Sequence, residues 1–289
     1  MTTLLVNKAT AFESVRPLLH SIAYKMTASV ADSEDILQDV LEKWLHQEAA
    51  VINSKAYLAK AVANTALNYL KKRKQEQDNY FGLWLPEPLT TPQKEGYTVT
   101  DEQLDYGFML LMEKLSPLER GVYLLRESFG TPYDELADSF GIKQDHCRQL
   151  YHRAKEKLSA SKRHHVDPAR KKKILNLFEE ACLSGNLTTL IEQLREDVVF
   201  YSDGGGKVPA AVNNIHGKKN ASKFLKGIYS KNGIRAVFKF AYLNNSPAAV
   251  VFINGKPDTI AILAADAGGI SEMYFVRNPD KIQHLHTFL

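Results

Sequence analysis

The hydrophobic periodicity of this chain changes once, at Gly185-Asn186, and that change divides what the sequence can build. Before it, apolar residues recur at spacings of three and four, as amphipathic helices require. After it they gather in extended runs: Val198-Val199-Phe200-Tyr201, Arg235 to Leu243, Ala248 to Ile253, Thr259 to Ala265 and Ile270 to Val276. Such runs behind a few helices describe an α+β domain with a curved antiparallel sheet. The chain is therefore read as multidomain, all-α first and α+β last, and its 289 residues allow two or three domains with cores of their own.

Within the helical part, residues 131 to 158 (TPYDELADSFGIKQDHCRQLYHRAKEKL) carry a helix-turn-helix pattern. Pro132 opens a first helix with Leu136, Ala137 and Phe140 on one face, and Gly141 supplies the tight turn. In the second helix Leu150, Ala154 and Leu158 point inward, which leaves Gln144, His146, Arg148, Gln149, His152 and Lys155 on the other faces. Arg, Gln and His are the side chains that hydrogen-bond to base edges in the major groove, and a recognition helix needs them near its start. Taken alone, the segment fits a helical hairpin with a solvated face equally well.

Upstream, the pattern predicts helices over Phe12 to Ala28, Ser33 to Gln47 and Ser54 to Lys74. Asp32 and Ser33 are good caps for the second, with Glu34 and Asp35 in a first turn where the helix dipole favours acids. Opposite its apolar stripe of Ile36, Val40, Leu41 and Trp44 lie Glu34, Asp35, Gln38, Asp39 and Glu42, which in isolation read as a solvated surface. The third helix can bury Tyr57, Leu58, Val62, Leu67 and Leu70 while Lys60, Asn64 and Asn68 project elsewhere, and it ends in Lys71, Lys72, Arg73 and Lys74. Amides, cations and nearby aromatics are what a single-strand binder combines. Ser116-Pro117-Leu118-Glu119 is a capping signature for a further helix.

Residues 75 to 104 interrupt the helical pattern with Gly82, Pro86, Pro88, Pro92 and Gly96 and read as a linker. Trp84-Leu85-Pro86-Glu87-Pro88 puts bulky apolar side chains into that linker, which suggests docking on another surface. Past the first extended run, Asp203-Gly204-Gly205-Gly206-Lys207 has three glycines that permit close approach of another segment. It lacks the spacing of a nucleotide-binding loop.

Composition excludes several classes. A 44% hydrophobic and 24% charged chain is ordinary globular protein, not a disordered one. The longest apolar stretch, Ala248 to Ala265, is broken by Asn254, Lys256, Pro257 and Asp258, and the N-terminus has no signal-peptide core, so the expectation is a cytoplasmic protein with no membrane contact. Two cysteines, Cys147 and Cys182, without CxxC spacing argue against a zinc site or a disulfide framework, and no cofactor or metal is called for. Residues 1 to 160 hold 19 Lys/Arg against 22 Asp/Glu, whereas residues 161 to 289 hold 18 against 11. A reader of DNA with so little excess charge binds naked DNA weakly and needs a larger partner to hold it there.

In this order the parts resemble an extracytoplasmic-function sigma factor with a fused SnoaL-like C-terminal domain. Asp32 to Val40 is similar to that family's polymerase-binding helix, Tyr57 to Lys74 to its promoter-melting segment, and Leu115 to Leu158 to the domain that reads the −35 element. The Trp84 to Pro88 motif, Asp203 to Lys207 and Asn278-Pro279-Asp280-Lys281 are specific to the subgroup. The resemblance implies sigma region 2 over residues 1–75, a linker over 76–104, sigma region 4 over 105–160 and a SnoaL-like cone over 168–289. It implies core RNA polymerase and promoter DNA as partners, with a small ligand of the C-terminal domain left open. Glu34, Asp35, Gln38 and Asp39 then bind polymerase; Lys60, Asn64, Asn68, Lys71 and Arg73 contact the −10 element; Gln144, His146, Arg148 and His152 contact the −35 element. The subgroup motifs (Trp84, Leu85, Pro86; Asp203, Gly204, Gly205, Gly206, Lys207; Asn278, Pro279, Asp280) become an interdomain regulatory set.

Two other readings stay open at this stage. A ligand-sensing dimeric helix-turn-helix regulator would occupy a palindromic operator without polymerase. A SnoaL-like isomerase or cyclase would need an acid/base set, for which Asp203, Asp266 and His216 are the candidates.

Overall fold

The computed structural model describes residues 2–49, 51–78, 80–90, 105–159, 168–232 and 236–288. They form two compact units: Met1–Asp78 with Leu111–Lys162, and Asn79–Leu110 with Arg163–Leu289.

The first unit is helical. α1 (Thr2–Thr27), α2 (Val30–His46) and α3 (Ser54–Asp78) pack on one another around Leu19, Ile22, Ile36, Val40, Leu58 and Val62, all at most 2% exposed. The predicted start of the second helix is corrected. Ala28 takes a left-handed turn and Ser29, not Asp32 or Ser33, caps α2 by accepting from the Asp32 amide. Ser33 is buried and donates back to the Ser29 carbonyl, so it serves the helix interior. The early start leaves the Asp32 carboxylate free for α3, where it accepts from the Tyr69 hydroxyl at 2.5 Å and pairs with Arg73.

After α4 (Tyr106–Met112) come α5 (Pro117–Phe129), α6 (Tyr133–Phe140) and α7 (Gln144–Ser159). Ser116 and Glu119 close a full capping box at α5, with Pro117 in the first turn. Gly141 ends α6 in the left-handed conformation at φ 64°, the turn a helix-turn-helix needs before α7. α5 also packs against α1 and α3. Arg120, 4% exposed, donates to the Met26 carbonyl at 2.7 Å and to Glu113 at 2.9 Å. An isolated buried guanidinium would be costly, and these acceptors remove that cost.

The second unit contains α8 (Pro168–Ser184), α9 (Thr188–Glu192), β1 (Leu194–Asp203), β2 (Ile215–His216), α10 (Lys218–Asn232), β3 (Ala236–Leu243), β4 (Ser246–Ile253), β5 (Lys256–Asp266), β6 (Gly269–Val276) and α11 (Pro279–Ile282). Its sheet runs β2-β1-β6-β5-β4-β3. Every neighbouring pair is antiparallel except β1 and β6, which run parallel and so depart from the all-antiparallel expectation. Both faces are buried. Phe200, Ala261, Leu263, Met273 and Phe275 face Phe178, Leu190 and Leu225 of the helices. Ile260, Ile262, Tyr274 and Val276, one residue out of phase, face Leu85, Tyr106, Ile282 and Leu285. The second face is thus covered partly by residues from the segment read as a linker.

Candidate functional site

On α7 the side chains divide cleanly. Cys147, Leu150 and Ala154 are buried, while Gln144, His146, Arg148 and His152 are exposed. Cys147 extends the apolar stripe by one position at its N-terminal end. Arg148 is half-exposed, ion-paired with Asp145 at 3.0 Å, and lies 5.6 Å over the ring of Tyr133. Stacking on an aromatic face holds a guanidinium in one plane, and bidentate pairing to guanine requires a fixed plane.

The face of α2 exposes Asp35, Gln38 and Asp39. Glu34 differs from them, because Arg16 at 2.5 Å and His20 at 3.4 Å already engage its carboxylate. On α3, Asn68 and Lys71 are exposed and Asn64 is half-buried. Lys60 is paired with Glu135 of α6, and Arg73 is held by Asp32. Neither cation presents an unengaged charge in this conformation.

The subgroup motifs converge in the second unit. Asp203 ends β1 with its side chain fully buried, and its carboxylate accepts from four donors. These are the Tyr80 hydroxyl at 2.6 Å, the Leu85 amide at 3.0 Å, the Gly205 amide at 2.9 Å and Lys281 Nζ at 2.7 Å. Lys281, 3% exposed, also donates to the Leu85 carbonyl at 2.6 Å and sits 3.4 Å from the Trp84 ring centroid and 4.8 Å from that of Tyr80. Asn278 donates to the Tyr80 hydroxyl at 2.9 Å and caps α11, with Pro279 in its first turn. Burial first, and the Asp203 hydrogen bond second, push the Tyr80 phenol well above the ordinary tyrosine value, so it stays a donor. Pro86 accepts from the Tyr106 hydroxyl at 2.6 Å, and Leu89 exchanges two hydrogen bonds with Asn244 at the end of β3. At the rim, Lys207 pairs with Asp280 at 2.5 Å, both more than half exposed.

The glycine run has a steric reason. A Cβ on Gly204 would lie 2.2 Å from the Val208 carbonyl oxygen, and one on Gly205 would lie 2.4 Å from Asn278 Nδ2. Gly206 is less confined, with Phe81 Cβ at 3.1 Å. Gly205→Ala should therefore destabilise the second unit by about 1–3 kcal/mol and by more than Gly206→Ala does, although both have positive φ. Thermal melts of the two variants check this, and equal losses would assign the effect to φ alone.

Lys281 and Tyr80 were absent from the expected set. Lys281 stands inside the quoted Asn278 motif, but nothing in sequence shows that a lysine will be buried on a carboxylate. Tyr80 is an aromatic four residues before Trp84, which is a weak signal. The three acid/base candidates are not brought together. Asp203 is held in this network, Asp266 pairs with Arg195 and accepts from the Gly268 amide, and His216 is exposed on β2. Among the described residues no group of three or more His, Cys, Asp or Glu is placed to hold a metal, and no helix is long and apolar enough to cross a membrane.

The Sigma-70 region 2 model matches residues 11–76, and the Sigma-70 region 4 model matches residues 107–158. The chain is 29% identical to the ECF RNA polymerase sigma factor SigJ of Mycobacterium tuberculosis, over 93% of this chain and 91% of that protein. To the probable ECF RNA polymerase sigma factor SigI of the same organism it is 25% identical, over 96% of each. The crystal structure of Mycobacterium tuberculosis SigJ superposes with a TM-score of 0.76 at 28% identity, covering 95% of this chain and 98% of that one.

Proposed function

We infer that this chain, which belongs to the extracytoplasmic-function RNA polymerase sigma factors, divides its work between a promoter-reading helical unit and a C-terminal unit that controls it. It directs RNA polymerase to promoters and acts where polymerase and DNA are, in the cytoplasm. Gln144, His146, Arg148 and His152 read the −35 element; Asn64 and Asn68, with Lys60, Lys71 and Arg73, take the −10 strand; Asp35, Gln38 and Asp39, with Glu34, dock on polymerase. The observation that carries the promoter assignment is α7, where exposed donors lie directly above a buried stripe in a capped helix-turn-helix. The pairing of Lys60 with Glu135 and of Arg73 with Asp32 means that both cations must exchange partners on binding DNA.

Control is assigned to the Asp203 network because it fastens the segment joining the two sigma regions onto the C-terminal sheet. The same network argues for regulation over catalysis, since it consumes the best-placed acid. In vitro transcription with core RNA polymerase tests the whole reading. Promoter-specific transcripts are expected only when both core enzyme and this chain are present, and operator binding by the chain alone with no effect on transcription would favour the dimeric regulator.

Arg148→Ala should relax preference at one base of the −35 element, because a bidentate arginine contributes roughly 1–3 kcal/mol of discrimination. A randomised promoter library reads this directly. Unchanged selectivity would remove Arg148 from the reading set.

A further inference from the structure

The helix-covered face of the sheet is not filled. Between α8, α9, α10 and the strands lies a cavity of about 90 Å³, with Phe178, Leu190, Leu225, Val251, Ala261 and Phe275 in its wall. Beside it is a wider recess of about 350 Å³ that includes Pro209, Phe224, Lys231 and Arg277, and the two share Ile228, Thr259 and Phe275 as a common wall. Protein interiors close on themselves to crystal-like density, so a persistent apolar void is unusual where no ligand fills it.

We propose that these adjoining cavities open into one another across that wall to bind a small, mainly apolar molecule ending in a carboxylate, with the hydrocarbon against the sheet and the carboxylate at the Lys231 and Arg277 rim. The charge of the lining sets the class. The charged residues are Asp258, Lys231 and Arg277, and Arg277 neutralises Asp258 through contacts of 3.1 and 3.2 Å, so one positive charge remains at the rim. Every other wall residue of the inner cavity except Thr259, Tyr229 and Cys182 is hydrocarbon.

The same residues favour binding without turnover. The Thr259 hydroxyl donates to Asp258 at 2.6 Å and accepts from Arg277 at 3.1 Å, and the Tyr229 hydroxyl donates to the Cys182 carbonyl. Burial pushes the Cys182 thiol up to about 12, which leaves it without nucleophilic thiolate at working pH. The recess also adjoins the Asp203 network along the chain. Its wall residues Ser202 and Arg277 each precede a network residue, Asp203 and Asn278, and the Arg277 and Asn278 amides both donate to the Asp203 carbonyl.

Calorimetric titration of the full chain with octanoate and, separately, with 1-octanol tests the site without polymerase or DNA, so its outcome is independent of promoter recognition. Octanoate should bind saturably with one site per chain. Val251→Phe, which fills the inner cavity, should weaken it at least tenfold in protein that melts no lower than the parent. Lys231 is exposed, so its reversal tests the rim without repacking the core. Lys231→Glu should weaken octanoate severalfold and leave octanol unchanged. Absence of saturable binding by octanoate, or undiminished binding in Val251→Phe, would overturn the site, and equal effects of Lys231→Glu on acid and alcohol would overturn the carboxylate assignment.

Discussion

Asp203→Ala should cost the C-terminal unit about 3–5 kcal/mol, the loss expected when one partner of a buried ion pair is removed and the other is left behind. Lys281, at 3% exposure, would lose its carboxylate while keeping the Leu85 carbonyl and the Tyr80 and Trp84 ring faces. The Tyr80 hydroxyl and the Leu85 and Gly205 amides would lose their shared acceptor at the same time. Removing the lysine as well should recover part of the loss. In Asp203→Ala with Lys281→Met no charge is stranded, so the double variant should be more stable than the sum of the single losses predicts. Chemical denaturation of the four proteins closes this cycle. A single-variant loss under about 1 kcal/mol, the range of an exposed pair, would mean that water reaches the site and that the network does not fasten the segment. On the regulatory reading, the same variant should change transcription from a cognate promoter at temperatures where both sigma regions remain folded.

The helices and strands were legible because each obeys a local rule. Leu150 and Ala154 fall on the buried side of α7 as their spacing requires, and Ser116 with Glu119 caps α5 as its signature requires. Long-range facts were less accessible. The run Ala248 to Ile253 is apolar on both faces of β4, which in a sheet demands cover on both sides, yet nothing local says that part of the cover comes from residues more than 150 positions earlier. The Trp84 motif signalled docking but not its target. The parallel register of β1 against β6 is equally hidden, because strand patterning is blind to direction. For the candidate site, residue type and helical spacing placed Arg148, Gln144, Asp35 and Asp39 on open faces. They could not show that Lys60, Arg73 and Glu34 have partners of opposite sign on other helices. Lys281 was missed for a related reason: a lysine is ordinarily a surface residue, and only the fold supplies the carboxylate that lets it be buried.

Reversing charge at Asp35 and Asp39 should abolish stable association with core polymerase while leaving the first unit folded. Both are exposed on α2, one turn apart on the face opposite Ile36, Val40 and Trp44, so their replacement disturbs no packing. Placing like charges across a charged interface costs several kcal/mol, and about 3 kcal/mol lowers affinity by roughly two orders of magnitude. The folding cost is far smaller. Both positions lie beyond the first turn of α2, where the helix dipole has little hold, and exposed surface charges contribute only about 0–1 kcal/mol each. Glu34 belongs in a separate variant, because its reversal would also turn attraction to Arg16 into repulsion and confuse docking with stability. Co-purification with core enzyme over a salt series supplies the discriminating measurement. If α2 docks through its acids, the parent complex should weaken as salt screens the attraction, whereas the Asp35→Lys, Asp39→Lys protein should be weak at low salt and lose little more. Full retention of core enzyme by that protein, with unchanged melting, would return these acids to an ordinary solvated face and leave polymerase docking to other residues of region 2.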